Sequence, residues 1–354
     1  MANIENEAVI LRQSLGMPDT RLYRDLYGVD FVPGEPGLVD DFGRLCDSLV
    51  KERQKLNDLC KALAITVTKQ SVVYEPTVFL DKKLSSDQIT AINSQESTAV
   101  AEYCRDVQAE LAKVPIVESN ERMVHLPALF SVHDVPIVFS DMPFHASCGD
   151  WAGKERLFWV REGVAYRLLI LGKLLETTGV QLYLEDAFRP PGVQEGLFKR
   201  RVNWTRRDHP DWSDEQVIIE AKSKTAVMPR LASHMGGAAI DALLQDRANG
   251  QLLDFGHNYP DGGALVFPKS PFIVPEQWRN RQLFQAAAGL SDLTLYVGED
   301  WHVSYGDNLA SLDEEGNVRP EYVAIYGPIK DFDPLTGTIL KVYSNEEKDK
   351  IFDY

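Results

Sequence analysis

Two adjacent glycines, Gly236 and Gly237, sit between a histidine and a strand-like run, and they restrict what this chain can build more than any other stretch. The segment reads Ser233-His234-Met235-Gly236-Gly237-Ala238-Ala239-Ile240-Asp241. His234 and Asp241 are seven positions apart, so one straight strand would send their side chains to opposite faces. Glycine bends the backbone at the least steric cost, which predicts a turn at 236–237 and then a strand over Ala238–Leu244. On that strand Asp241 shares a face with Ala239 and Leu243, while Ile240, Ala242 and Leu244 face the other way. The small alanines leave space beside the aspartate.

Two further stretches complete a chemical set. Glu299-Asp300-Trp301-His302 adds a carboxylate and a second imidazole, just ahead of the strand-like Val303-Ser304-Tyr305. Asp186-Ala187-Phe188-Arg189-Pro190-Pro191 places an arginine at the end of the alternating run Val180–Phe188. A catalytic zinc takes three protein ligands and keeps a fourth position for water. His234, Asp241 and His302 supply two nitrogens and an oxygen, which predicts one Zn2+ per chain. Glu299 is then free to act as general base, and Arg189 to stabilise an oxyanion.

In this order the motifs resemble the LAS metallopeptidases, a group that spans D-Ala-D-Ala carboxypeptidases and dipeptidases, lysostaphin-type enzymes and hedgehog signalling domains. The resemblance covers about residues 120 to 310 and is nearest to the D-alanyl-D-alanine dipeptidases. It implies His234, Asp241 and His302 as zinc ligands, Glu299 as base and Arg189 as transition-state stabiliser. It also implies a substrate-binding serine, for which Ser233 is the candidate, because Ala232 occupies the family's usual serine position. An aspartate that pairs with the substrate's free amine is implied too, with Asp261 as candidate. The activity so implied is zinc-dependent hydrolysis of D-Ala-D-Ala or a related small cell-wall dipeptide. The alternatives are a D,D- or L,D-carboxypeptidase on longer peptidoglycan peptides, or a zinc-bound recognition module without turnover.

The rest of the chain sets the context. A formal net charge of −16 over 354 residues argues against nucleic acid or an anionic membrane as partner. Cys46, Cys60, Cys104 and Cys148 lack metal spacing and read as free thiols of a reducing compartment. The acidic opening Met1–Glu7 shows no basic or apolar targeting segment, so a cytoplasmic location is expected. Leucines from Leu38 to Leu63 mark one amphipathic helix. Ser71–Tyr74 reads as a strand, and Ser86-Asp87 caps a second helix with its stripe from Ile89 to Leu111. Residues 1–115 are therefore read as a helical N-terminal region, whose stripes pack on the core or join copies of the chain. Residues 116–354 are read as the metallopeptidase domain, an α+β fold with a small, mostly antiparallel sheet and flanking helices. Within it, Glu155–Thr178 and Glu276–Gly289 are predicted helices, Trp204–Pro229 a polar excursion with a short helical stretch around Glu215–Lys222, and Tyr322–Tyr326 and Ile339–Tyr343 paired strands. His145 and Cys148 are taken as structural and His209 as solvated.

Overall fold

The computed structural model describes residues 82–89 and 98–353, apart from 261–264, 269, 271, 314 and 315. The expected helix from Leu38 to Leu63 and the patch Ser71–Tyr74 lie outside the described residues. The cap expected at Ser86-Asp87 falls one position earlier. Ser85 Oγ accepts from Gln88 N, and Gln88 Oε1 accepts from Ser85 N, a reciprocal capping box.

The strands that carry the chemistry form one five-stranded sheet. In chain order its members are β2 (Ile137–Phe139), β4 (Val180–Asp186), β5 (Ala239–Asp246), β6 (Thr294–Leu295) and β7 (His302–Ser304). Their spatial order is β2-β4-β5-β7-β6, parallel between β2 and β4 and antiparallel elsewhere. The fold is α+β, as expected. Both faces of β5 are covered from Ala239 to Leu244: Ile240, Ala242 and Leu244 are fully buried in the main apolar core, and Ala239, Asp241 and Leu243 on the other face are buried as well. Helix α3 (Glu162–Leu175) crosses that core with 13 buried residues, the pattern of a helix apolar on nearly every side. Gly179, at φ +80°, stops the element where the sequence placed the stop.

Four expectations change. The predicted helix Glu155–Thr178 is shorter, because Trp159–Arg161 instead form β3, paired with β1 (Met123–His125). The polar stretch from Trp204 opens inside helix α4 (Pro191–Asp208), while the helical stretch expected around Glu215–Lys222 is present as α5 (Asp214–Lys224). Pro191 at the first helical turn and the Ser213/Gln216 capping box were the signals for them. The C-terminal hairpin joins Ile329–Phe332 (β8) to Ile339–Val342 (β9), and Tyr322–Tyr326 takes no part in it. Asp333 decides the register by accepting from Leu335 N and Thr336 Oγ1, which closes the turn right after β8. Finally, His302 lies in a strand rather than on its entry loop.

Arg161 braces the turn that the glycines make. It is fully buried and donates to Gly236 O (2.7 Å), Glu121 O (2.7 Å) and Glu118 Oε1 (3.0 Å). Gly237 adopts φ +64°, and a Cβ there would fall 2.7 Å from Met123 Sδ, so both space and backbone demand glycine. Replacing Arg161→Met should cost about 3–5 kcal/mol in urea unfolding, because Glu118 and the carbonyls lose a buried partner. An unchanged midpoint would remove Arg161 as the brace.

Candidate active site

Strand register assembles the site. In the β5–β7 ladder Asp241 lies directly opposite His302. A bulge in β4 shifts the neighbouring ladder so that Asp186, rather than Glu185, faces Asp241. Two carboxylates opposite each other repel, and Arg189 relieves this by bridging both. Its Nε donates to Asp186 Oδ2 (2.9 Å) and its Nη2 to Asp241 Oδ2 (2.8 Å).

His234 reaches the same carboxylate from the short 3-10 turn Ser233–Gly236. Its Nδ1 lies 2.6 Å from Ala187 O, which can only accept, so Nδ1 carries the proton and Nε2 keeps its lone pair. That Nε2 is 3.2 Å from Asp241 Oδ1, and His302 Nδ1 is 2.9 Å from the same oxygen. One ligand atom from each of His234, Asp241 and His302 fits within 4.8 Å of the others. Two imidazoles and a carboxylate with converging donor atoms match the donor set of a divalent transition metal such as zinc. The carbonyl behind His234 orients its ring as outer partners of metal-binding histidines do.

Electrostatics separate the two carboxylates. Burial alone would raise Asp241, but His234, His302 and Arg189 hold it well below the usual carboxylate range. Glu299 goes the other way. Burial, with Asp241 and Asp300 nearby, pushes it up to about 7 against the pull of His302 and Arg189. Its side chain is 34% exposed, so water can reach it, and Oε2 stands 3.8 Å from His302 Nδ1. Burial works against the Arg189 cation, but Asp186 and Asp241 outweigh it and raise Arg189 above its usual value. All these side chains line one cavity of about 380 Å³, within the ~300–1,000 Å³ usual for small-molecule sites.

Comparison with known families bears on the same stretch. Residues 151–319 match the Peptidase_M15 family, described as D-ala-D-ala dipeptidase, and every residue of the constellation falls inside that span. Over this stretch, just under half of the chain, the protein is similar to the Peptidase_M15 family. No curated protein matches the chain.

The other sequence candidates divide. Ser233 is buried, lines the cavity and places its hydroxyl beside the Asp307 carboxyl. Asp261 lies outside the described residues. His145 and Cys148 also line the cavity, with His145 Nδ1 accepting from Ser147 N, so the pair serves the local turn and forms part of the wall. His209 is exposed and stacks on Trp212. Cys104 lines the cavity as well, but burial and Glu299 push its thiol up to about 12, which leaves it protonated and a poor ligand. Among the described residues, Cys104 and Cys148 are free thiols.

Sequence reasoning missed two supports of the site. Tyr259 Oη donates to Asp241 Oδ2 (2.9 Å), so the side chains that surround the Asp241 carboxylate, Arg189, His234, Tyr259 and His302, come from four separate segments. Asp300, fully buried, takes His257 Nε2 (2.8 Å) and Arg281 Nε (2.8 Å). Together with the buried Trp301, this pins the backbone on which Glu299 and His302 stand. The signal was present in Glu299-Asp300-Trp301-His302, whose outer two residues serve the site and whose inner two anchor it.

Proposed function

We propose that this chain is a zinc-dependent peptidase that hydrolyses D-Ala-D-Ala or a related small cell-wall dipeptide. One observation carries the reading. His234, Asp241 and His302 converge within 4.8 Å in a cavity that also presents Glu299 and Arg189. The M15 match supports peptidase chemistry, and the donor set supports zinc as the metal.

When bound by these three residues, zinc supplies a Lewis acid that makes water more acidic and polarises a carbonyl. The chain's own groups do the rest. Glu299, ionised and reachable by water, takes the proton from the attacking water and later hands it to the leaving amine. Arg189 is held by two carboxylates through Nε and Nη2, and its Nη1 makes no hydrogen bond among the described residues. That free donor edge suits the oxygen that gains charge as the carbonyl becomes tetrahedral. Tyr259 and Arg189 share the second oxygen of Asp241, which keeps the ligand from turning.

The substrate-binding roles of Ser233 and Asp261 belong to the same proposal, as does a small peptide as the sole substrate partner. A cytoplasmic setting is consistent with the two free buried thiols. Among the described residues no helix is long and apolar enough to cross a membrane.

Purified protein should release free D-alanine from D-Ala-D-Ala, lose this activity on chelation and recover it with zinc. Turnover that survives complete metal removal would sink the reading. Efficient cleavage of longer wall peptides with none of the dipeptide would transfer it to the carboxypeptidase alternative.

A further inference from the structure

Most arginines that the fold desolvates in this protein meet a carboxylate. Arg122 pairs with Glu162, Arg156 with Glu185, Arg161 with Glu118, Arg189 with Asp186 and Asp241, and Arg281 with Asp300. Arg200 and Arg201 depart from this. Both lie on helix α4 and line the catalytic cavity, and neither has a carboxylate within ion-pair distance among the described residues. The third cation beside them, Lys224, differs, since Glu220 stands 2.8 Å from its Nζ.

An overall basic surface does not explain them, because the chain carries a net charge of −16. Two half-buried cations side by side at a cavity wall, with no carboxylate within ion-pair distance among the described residues, point to an anion that arrives with the ligand. The two guanidiniums are positioned for this. Both pack on Trp204, with ring centroids 4.7 Å from Arg200 and 5.5 Å from Arg201, which fixes side chains that would otherwise roam. They also flank the reaction centre: Arg200 acts electrostatically on Tyr259 and Arg189, Arg201 on Glu299. Burial draws both below the usual arginine value; Glu299, Glu220 and Asp208 offset this only in part for Arg201, the nearby Arg201 and Arg189 add to it for Arg200, and each remains a cation.

We propose that Arg200 and Arg201 form a clamp for the substrate's free C-terminal carboxylate, which limits cleavage to the last peptide bond. The clamp rests on the peptidase reading of this cavity. A planar guanidinium matches a carboxylate in two parallel hydrogen bonds, and two such groups beside the scissile bond select a peptide that ends there. An extended chain would put a neutral amide against two unpaired cations, leaving their charge uncompensated.

The test compares D-Ala-D-Ala with its C-terminal carboxamide, on the wild type and on Arg200→Gln, Arg201→Gln and the double variant. Amidation should raise KM for the wild type about ten- to a hundredfold, the range for losing a charged hydrogen-bonded pair. In the double variant the two substrates should become equivalent, with kcat changed only a few-fold and metal content and melting temperature retained. Arg201→Lys should recover part of the discrimination. If amidation still costs the double variant what it costs the wild type, the carboxylate binds elsewhere and the clamp is overturned. Calorimetric titration of full-length protein with N-acetyl-D-alanine and with its amide separates this from the fate of the peptidase reading. Binding of the acid alone, lost in the double variant, supports the clamp even if no dipeptide is cleaved. Equal binding of acid and amide to the wild type rejects it.

Discussion

Glu299→Gln should lower kcat for D-Ala-D-Ala by about 10²–10⁴-fold while the protein keeps a full complement of zinc. The glutamine fills the same space but cannot accept a proton, and it leaves His234, Asp241 and His302 untouched. The pH profile gives a second, independent readout. Burial and the neighbouring Asp241 push the Glu299 carboxyl up to about 7, so it becomes protonated as pH falls through that range. A protonated carboxyl cannot take a proton from water, and kcat/KM of the wild type should therefore fall on the acid side. A cation bound beside it favours the ionised form, which moves this limb below 7 when metal is present. The residual rate of the glutamine variant should lack the limb. Wild-type turnover in the variant, or an unchanged acid limb, would take the base away from Glu299.

His302→Ala should abolish both metal binding and turnover. His302 supplies one of three donor atoms that lie within 4.8 Å of one another, and its loss leaves a two-donor remnant. Metal content by elemental analysis after dialysis should fall from one per chain to near zero. The same change removes the partner opposite Asp241 in the β5–β7 ladder. Asp241 would keep Arg189 and Tyr259, so the fold should survive with a modest loss of stability. In the wild type, added zinc should raise the melting temperature, because a ligand that binds only the folded state stabilises it by mass action. That rise should vanish in the variant. Stoichiometric zinc retained in His302→Ala would show that the metal is held elsewhere.

The sequence by itself determined which residues are candidates and the elements that carry them. His234, Asp241, His302, Glu299 and Arg189 were legible as candidates because their donor types and order match a metal-hydrolase set. The turn at Gly236-Gly237 and the alternation in β5 were legible because they depend on local backbone geometry. Helix α5 was legible around Glu215–Lys222, whereas α4 was harder to see, since its polar surface blurs the periodic signal and only Pro191 marks its start. The tertiary structure alone decided the rest. Strand register set Asp241 opposite His302, and a bulge brought Asp186 to the other side. Cross-chain packing supplied Tyr259 and the His257–Asp300–Arg281 anchor. It also carried Arg200 and Arg201 into the cavity wall. Such pairings join residues far apart along the chain, and no local preference specifies them. They form only when the core around Ile240, Leu244 and α3 closes and fixes where each strand and helix stands.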